Sequence, residues 1–380
     1  MQRLQHNFYQ TNRTACNANI ACTKCRNTKT KLHVARRSWN RELKMYSLLT
    51  LIVLKLLTTS SSAFGLVQRT PTFKSSTLFA EDPGILKATS WQDLSTLPPV
   101  HLSLILPAYN EEFRIRETLL NYGNYILSSE VWGRDDGKWC DILVVDDGSS
   151  DSTANVVLKC GQLMKGIHVR CVSLEKNEGK GSAVARGLEF IHHEIENSQD
   201  TGCVILVADA DGSGDIEYLD TIMSQFSELV ERASEECNAS TTSKHLSPWK
   251  TKAMLVGNRA GNTSLSRIVT RWGFQTLVKI ICGNLQVNDT QCGFKLMTVD
   301  TGMTLYSSLN LKRWTHDVEV LYRAKELKIP VMEVNIGWED KEGSKLASNV
   351  RETILVSALM LGEITMMRIF YIINRWKAVE

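Results

Sequence analysis

The sequence predicts an α/β protein built on a doubly wound, mixed β-sheet, and two observations lead to this prediction. From His101 onward, short runs of β-branched and apolar residues alternate with longer segments whose apolar residues recur at helical spacing. Such an alternation is typical of strands and helices wound around one sheet. One run, Cys203-Val-Ile-Leu-Val-Ala208, is apolar throughout and so indicates a strand buried on both faces. At 380 residues, the chain is long enough to build a full core.

Residues 1–100 precede this pattern and differ from it in composition. Residues 1–44 contain ten Lys and Arg against the single acid Glu42, which predicts a disordered basic segment or an upstream extension. Residues 45–64 are predicted to be a hydrophobic signal or anchor segment, although the apolar core at 46–58 is short for a membrane span. Residues 65–100 are predicted to be a Ser/Thr-rich linker. A cleaved leader, an uncleaved anchor and a misassigned start all fit, and a leader leaves a plastid or secretory destination open.

Charge and cysteine usage narrow the function classes. The net charge of +3 is nearly neutral and gives no argument for nucleic-acid binding. Cys22-x-x-Cys25 has no second pair downstream to complete a zinc site. The cysteines beyond residue 100 are scattered and several lie in apolar runs, which predicts reduced, buried thiols in a domain that faces the cytosol.

The α/β domain is expected to span residues 101–345, with a first half at 101–215 and a second half at 250–345. Its predicted strands are 102–106, 141–145, 168–174, 204–208, 254–257 and 331–336. Its predicted helices are 111–127, 152–164, 182–196, 215–233, 264–282 and 317–328, with a polar surface insertion at 237–252. The last segment, 346–380, contains an apolar stretch at 353–373 that is interrupted by Glu363 and Arg368. We predict an amphipathic helix lying in a membrane surface, and a core-packed helix fits the pattern about as well.

Four polar segments follow predicted strands at what should be one edge of the sheet, where open α/β sheets bind ligands. Asp209 and Asp211 alternate at the end of an extended run, so their carboxylates point the same way and can share one hard divalent cation. Such a cation can clamp a diphosphate and take up charge on a leaving phosphate. Gly179 lets the backbone approach a nucleotide, and Lys180 can neutralise its charge.

The two earlier segments carry candidate contacts to a nucleoside. Tyr109 is expected to flank a base, Glu111 to accept from a base or ribose, and Asp146 to accept from a uracil N–H. Taken singly, each of the four segments also fits an ordinary turn, helix cap or loop. Four such segments in succession, each at a strand end, favour a binding site.

These segments, PAYNEE at 107–112, VVDDGSSDST at 144–153, NEGKGSAVARG at 177–187 and ADADG at 208–212, resemble the family 2 glycosyltransferases. The resemblance implies the GT-A fold, a nucleotide-sugar donor, inversion at the anomeric carbon and a divalent metal, Mg²⁺ or Mn²⁺. It implies that the uridine part is held by Pro107, Tyr109, Glu111, Asp146 and Lys180. It also implies that Asp209 and Asp211 hold ribose, metal and diphosphate, so that 101–215 is a nucleotide-binding half and 250–345 an acceptor half.

Motifs of the second half are similar to those of the dolichyl-phosphate β-glucosyltransferases. They are VGNR at 256–259, DTQCGFK at 289–295, RW at 313–314 with DVE at 317–319, and EGSK at 342–345. This resemblance implies transfer of glucose from UDP-glucose to dolichyl phosphate, giving dolichyl β-D-glucosyl phosphate for assembly of the protein N-glycosylation precursor. The alternatives are a polyprenyl-phosphate mannosyltransferase that uses GDP-mannose and a non-catalytic nucleotide-sugar-binding protein. His316 departs from the family pattern, which has an aromatic carbocycle beside the Asp.

A phosphate acceptor sets particular chemical demands. A lipid phosphate is already anionic near neutral pH, so transfer needs cations and in-line positioning more than a strong general base. Our candidates for the cationic pocket are Arg259, Lys295 and Arg313. The candidates for orienting sugar hydroxyls or completing the metal shell are Asp289, Gln291, Asp317 and Glu319.

The basic and apolar helix at 264–282 and the tail are expected to seat the enzyme beside a bilayer. The basic start predicts that the domain after residue 58 is translocated, whereas the resemblance places it on the cytosolic face of the endoplasmic reticulum. Sequons occur at Asn262 and Asn288, and the second lies inside the proposed acceptor motif. A glycan there would obstruct the site, which favours the cytosolic face.

Overall fold

The computed structural model describes residues 100–129, 132, 140–196, 202–240, 248–260, 265–339 and 350–378. The predicted segments at 1–44, 45–64 and 65–99 therefore lie outside the described residues. The same is true of the 342–345 motif and of the sequon residue Asn262.

One seven-stranded mixed sheet forms the centre of the domain, in the order β3-β2-β1-β4-β6-β5-β7. The strands β1 to β4 are parallel to one another, whereas β6 runs antiparallel to both of its neighbours, β4 and β5. The prediction of a doubly wound mixed sheet is confirmed. The strands are Val100–Ala108 (β1), Cys140–Asp146 (β2), His168–Ser173 (β3), Gly202–Val207 (β4), Met254–Ala260 (β5), Lys295–Thr298 (β6) and Val331–Gly337 (β7).

The predicted helices all form, with ends that differ by a few residues. They are Ile115–Ser128 (α1), Thr153–Leu163 (α2), Lys180–Glu196 (α3), Leu219–Ser240 (α4), Leu265–Cys282 (α5), His316–Glu326 (α7) and Val350–Ile372 (α8). The predicted surface insertion at 237–252 is wrong at both ends. Helix α4 continues to Ser240, and Trp249 is buried against Gly202 in a 3₁₀ turn, Pro248–Lys250.

Two elements were missed, strand β6 and the short helix Val299–Tyr306 (α6) that follows it directly. Strand β6 is only four residues long and is buried at every position, so it shows neither the alternation nor the length on which a strand prediction depends. The strand forms because it pairs with β4 and β5, and this pairing cannot be recognised from the local sequence. This strand carries Lys295 into the middle of the sheet.

Apolar side chains from both faces of the sheet are fully buried, among them Leu104 and Leu206 on one face and Ile105 and Leu143 on the other. Four cysteines are buried free thiols, as predicted, namely Cys160, Cys203, Cys282 and Cys292, whereas Cys140 and Cys171 are free and half-buried. Burial raises the pKa of Cys282 to about 11. Within the described ranges, no helix is both long enough and apolar enough to cross a bilayer.

Candidate active site

The loops after β1 and β2 interlock at the carboxyl edge of the sheet. The backbone N–H of Asn110 donates to Ser149 Oγ at 2.9 Å, and that of Glu111 donates to Thr153 Oγ1 at 2.7 Å. Asn110 has a φ of 52°, in the left-handed region that Asn tolerates better than most residues. These contacts hold residues 110–114 as a loop, which is why α1 begins at Ile115 rather than at the predicted residue 111.

The predicted nucleoside contacts lie on this pair of loops. Pro107 is near the end of β1, opposite Val145, and Tyr109 follows with an exposed ring. Asp146 ends β2 and is buried, and its Oδ1 accepts from the backbone N–H of Ser149 at 3.1 Å. The structure thus brings these predicted residues to one edge.

The third loop is attached to the second by Asp147, which the sequence analysis did not single out. Its two carboxylate oxygens accept from the backbone N–H groups of Glu178 and Gly179, at 2.7 and 2.9 Å. Burial raises the pKa of Asp147 more than these bonds lower it. The backbone N–H of Gly181 donates to Lys312 O at 2.9 Å. We call residues 178–181 the glycine turn, and it joins the first half of the domain to the segment before α7.

Lys180 lies in the first turn of α3 and its ammonium contacts Asp209 Oδ1. Burial alone would lower the pKa of Lys180, but the charges of Asp209 and Asp317 outweigh it and raise the pKa. The lysine is therefore charged and stands between Asp209 of the first half and Asp317 of the second half.

Asp211 has a different cation, Arg114, which the sequence analysis missed. Arg114 Nη1 lies 3.3 Å from Asp211 Oδ2, while Nε and Nη2 each donate to Glu111 at 2.7 Å. The predicted ribose contact Glu111 and the predicted metal ligand Asp211 are thus bridged by one guanidinium. An Arg three residues after the Glu, on the turn that leads into α1, is the sequence signal that was available.

Helix α1 also supports the loop that carries the two aspartates. Thr118 Oγ1 donates to the carbonyl of Ala210 at 3.0 Å, and Tyr122 OH donates to that of Gly214 at 2.8 Å. Because both donors are buried on α1, this helix fixes the backbone of the loop that carries Asp209 and Asp211.

In the second half, Arg259 and Asp289 form an ion pair with two hydrogen bonds. Arg259 Nε and Nη2 donate to the two oxygens of Asp289 at 2.6 and 2.8 Å, and the guanidinium lies 5.3 Å from the ring centre of Trp338. Burial would raise the pKa of Asp289, but the hydrogen bonds and charge of Arg259 lower it. Gln291 follows, with its backbone N–H 3.3 Å from Asp289 Oδ1.

Lys295 does not lie on an open surface as a candidate phosphate contact would. It is buried on β6, and its ammonium faces the carbonyl of Cys292 and Asp317 Oδ1, the latter at 2.6 Å. His316 Nε2 lies 3.2 Å from the same Asp317 oxygen, and its Nδ1 donates to the carbonyl of Arg313 at 2.7 Å. Burial alone would raise the pKa of Asp317, but His316, Lys295 and Lys180 together hold it far below its ordinary value.

The other two acceptor candidates have opposite environments. Glu319 is fully buried, and its carboxylate accepts from the backbone N–H of Leu311 at 2.6 Å and from Tyr371 OH at 3.1 Å. Arg313 is exposed beside the glycine turn, where its side chain packs next to Gly179. Of the three predicted cations, Arg313 is thus the one that faces outward.

The two aspartates fit a divalent cation that is shared with a bound diphosphate. In the part of the chain that the structure describes, no three His, Cys, Asp or Glu side chains form a metal-holding group. Asp209 and Asp211 offer two carboxylates, each with 26% of its side chain exposed. Ions such as Mg²⁺ commonly take one or two protein carboxylates and complete their shell with water and substrate phosphates. A Cβ at position 293 would lie 2.4 Å from Asp209 Oδ2, so Gly293 leaves room for this oxygen.

The glycine turn allows a test of how closely the halves pack. Gly179 has a φ of 104°, and a Cβ there would lie 2.4 Å from the carbonyl oxygen of Lys312. We expect Gly179→Ala to lower the free energy of unfolding by about 1–3 kcal/mol and to weaken nucleotide binding, measured by denaturant unfolding and by calorimetry with UDP. Gly273→Ala is the control, because its Cβ meets nothing within 4 Å. Helix propensity predicts a gain of about 0.5–1 kcal/mol there, and equal losses in the two variants would contradict the prediction.

Comparison with known proteins yields one family and a consistent group of relatives. Residues 103–231 match the model of the glycosyl transferase family 2. The dolichyl-phosphate β-glucosyltransferases of Mus musculus and Homo sapiens are each 33% identical to this chain, over 74% of it and 78% of their own length. That of Drosophila melanogaster is 32% identical over 78% of this chain and 83% of its own. A solved glucosyl-3-phosphoglycerate synthase from Mycobacterium tuberculosis covers 70% of this chain and 79% of its own, with 15% identity and a TM-score of 0.43, a likeness too remote to bear on function.

Proposed function

Because the chain belongs to the dolichyl-phosphate β-glucosyltransferases, within the family 2 glycosyltransferases of GT-A fold, we propose that it transfers glucose from UDP-glucose to dolichyl phosphate. The observation that carries the proposal is that cationic side chains lie directly beside the carboxylates of the candidate site, in both halves of the domain. Arg114 holds Asp211, and Lys180 holds Asp209 while also standing close to Asp317. Two anionic substrates that must approach each other need such a site.

We assign the donor to the nucleotide-binding half. Tyr109 and Asp146 would contact the base, and Glu111 the ribose. Asp209 and Asp211 would hold Mg²⁺ or Mn²⁺, which when bound supplies positive charge to the leaving diphosphate. Lys180 adds a fixed positive charge that costs no reorganisation during the reaction.

The acceptor phosphate is assigned to the region around Arg313. A phosphate oxygen is already ionised, so the protein has to neutralise and orient it and need not remove a proton. Arg313 is exposed beside the glycine turn, and Arg259 is a second cation with about a fifth of its side chain exposed. We infer that buried Lys295 and Glu319 act by fixing Asp317 and the loop before α7, while Asp289 and Gln291 line the sugar side.

The proposed reaction is tested with purified full-length protein, a short polyprenyl phosphate and either UDP-glucose or GDP-mannose, each radiolabelled in the sugar. We expect glucose in the lipid product, with a β linkage by NMR, and little mannose. Faster transfer from GDP-mannose would instead identify a mannosyltransferase. Binding of UDP-glucose without any transfer would favour a non-catalytic binding protein.

A membrane surface is the proposed location of the acceptor. Helices α5 and α8 pack side by side, and their outward residues include the exposed side chains Trp272, Ile280, Ile369 and Ile372. Exposed apolar residues grouped on adjacent helices are typical of surfaces that meet a membrane or a partner. We propose that this apolar face lies against the bilayer in which dolichyl phosphate resides.

We expect Trp272→Asp combined with Ile280→Asp to reduce transfer to a long-chain acceptor in phosphatidylcholine vesicles by about tenfold or more, since both side chains are two-thirds exposed. Transfer to a short, water-soluble acceptor should change less than about twofold. Leu158→Asp on α2 is the control, being 54% exposed but away from this face. An equal loss with both acceptors would exclude a membrane role for the face.

For the compartment, we propose the cytosolic side of the endoplasmic reticulum. Asn288 Nδ2 donates to Glu333 Oε2 at 2.8 Å, and its Oδ1 accepts from Lys279 at 3.1 Å. A glycan on this amide would interrupt that arrangement next to Asp289. Protease treatment of sealed microsomes should therefore degrade the catalytic domain, and full protection would place the domain in the lumen.

A further inference from the structure

Helix α8 turns the charged residues Glu363 and Arg368 inward. The packed face of the helix repeats at one-turn spacing and consists of Glu363, Ile364, Met367, Arg368 and Tyr371, with Ile364 and Met367 fully buried. The sequence analysis left open whether the segment that contains Glu363 and Arg368 is an amphipathic helix in a membrane surface or a core-packed helix. The structure directs both charged residues toward α7 and the residue before it, and so these charges serve a contact within the protein.

Three contacts join α8 to the residue before α7 and to the first two turns of that helix. Thr315 Oγ1 donates to Glu363 Oε2 at 2.5 Å, and Tyr371 OH donates to Glu319 Oε1 at 3.1 Å. Arg368 contacts the hydroxyl of Tyr322, and its guanidinium lies 5.1 Å from that ring. Polar contacts that recur at each turn fix one helix along another in both register and rotation.

The first of these contacts replaces a local interaction. Thr315 is the residue before α7, where a Thr hydroxyl commonly caps its own helix, yet it makes no cap hydrogen bond. Its hydroxyl is committed to Glu363 on α8. The start of α7, which carries His316 and Asp317, is therefore supported from another element.

The second contact extends to the glycine turn. Besides Tyr371, Glu319 accepts from the backbone N–H of Leu311 at 2.6 Å. The next carbonyl, that of Lys312, accepts from Gly181 N at 2.9 Å. A continuous series of contacts thus runs from α8 through Glu319 to the segment that presents Arg313 and to the donor-side turn.

We propose that Glu363 and Tyr371 are positioning residues for the lipid phosphate. They hold the start of α7 and the segment before it, so that Asp317 stays in place and Arg313 can bind that phosphate beside the donor. The inference rests on the proposed function, because it assigns these two residues to the acceptor side of that reaction. It also gives α8 two roles on opposite faces, since Ile369 and Ile372 point outward.

The test uses the full-length protein with Tyr371→Phe and Glu363→Ala. In each variant we expect the KM for a polyprenyl phosphate to rise by about fivefold to tenfold, as for loss of one buried hydrogen bond, while the KM for UDP-glucose stays within about twofold. Glu363→Gln should restore the acceptor KM, because its amide oxygen still accepts from Thr315. Leu158→Ala on α2, at a position that is 54% exposed and outside both α7 and α8, is the control and should leave both constants unchanged.

Hydrogen exchange provides a readout that does not require activity. The amides of Leu311 and of residues 316–319 should exchange faster in Tyr371→Phe than in the wild type, whereas those of β1 and β2 should not. Should the wild type transfer no glucose, the proposed function fails and exchange still tests the positioning. Unchanged exchange and KM, or equal losses for donor and acceptor that Glu363→Gln does not reverse, would overturn the inference.

Discussion

Asp211→Asn is expected to lower the rate of glucosyl transfer by about a thousandfold or more, the scale for removing a group that stabilises developing charge. The amide has the same shape but no charge, so it is a poor ligand for Mg²⁺ or Mn²⁺. It also leaves Arg114 without one of its two carboxylates. The measurement is kcat with UDP-glucose and a short polyprenyl phosphate over a Mn²⁺ titration, in which half-saturation should move to higher Mn²⁺.

Asp215→Asn is the matched control, because this aspartate follows in the same loop but accepts from Glu217 N at the start of a 3₁₀ turn. We expect its kcat to stay within about threefold of the wild-type value. Full activity of Asp211→Asn at all Mn²⁺ concentrations would exclude the metal role assigned to this residue. A loss of equal size in both variants would instead indicate that the loop as a whole had been disturbed.

Asp317→Asn is expected to have the largest effect on stability, lowering the free energy of unfolding by about 3–5 kcal/mol as for a broken buried ion pair. In a domain of this size the midpoint of thermal unfolding should fall by roughly 10 °C. The reason is that Asp317 supplies the negative charge that faces the fully buried Lys295, whereas an asparagine at this position offers a hydrogen-bond acceptor without charge. Calorimetry of both proteins at neutral pH measures the difference.

The loss of stability in Asp317→Asn should depend on pH, in a direction that follows from the pKa of Asp317. The folded pKa of Asp317 is depressed, so its contribution to stability is present above the unfolded pKa of about 3.9 and is lost as the pH falls through the lower folded value. The gap between wild type and Asp317→Asn should therefore be constant near neutrality and narrow only below about pH 4. The control is Glu189→Gln, which breaks an ion pair with Arg186 that is half exposed and should cost less than about 1 kcal/mol. If Glu189→Gln lowered the free energy of unfolding as much as Asp317→Asn, burial would not explain the large effect at Asp317.

Local sequence was sufficient where a residue's role depends on its position at the end of a strand. The run of apolar residues before Asp209 indicates a buried strand, and parallel strands place their following loops at one edge of the sheet. The edge that carries Asp146, Lys180 and Asp209 could thus be predicted before any contact was known. Arg114 was missed because its partner Asp211 is remote in sequence, and only the folding of both loops onto one edge pairs them.

The second half depended more on tertiary structure. Sequence presents Lys295, Arg313 and Arg259 as equivalent cations, but pairing of β6 with β4 and β5 buries the first and leaves Arg313 exposed. The same applies to α8. An apolar segment with Glu363 and Arg368 fits both an interfacial helix and a packed one, and contacts with α7 decide which way the charges point.

The sequence by itself therefore determined the doubly wound sheet, the edge that carries the candidate site and the family to which the chain belongs. The sheet follows from periodicity, the edge from residues at strand ends and the family from the resemblance of short motifs, all of which are local properties. Only the tertiary structure decided which charges are buried, which carboxylate holds which cation, and which face of α8 is turned to the protein. Burial and ion pairing depend on side chains from segments distant along the chain, and no local pattern records which of those segments will meet.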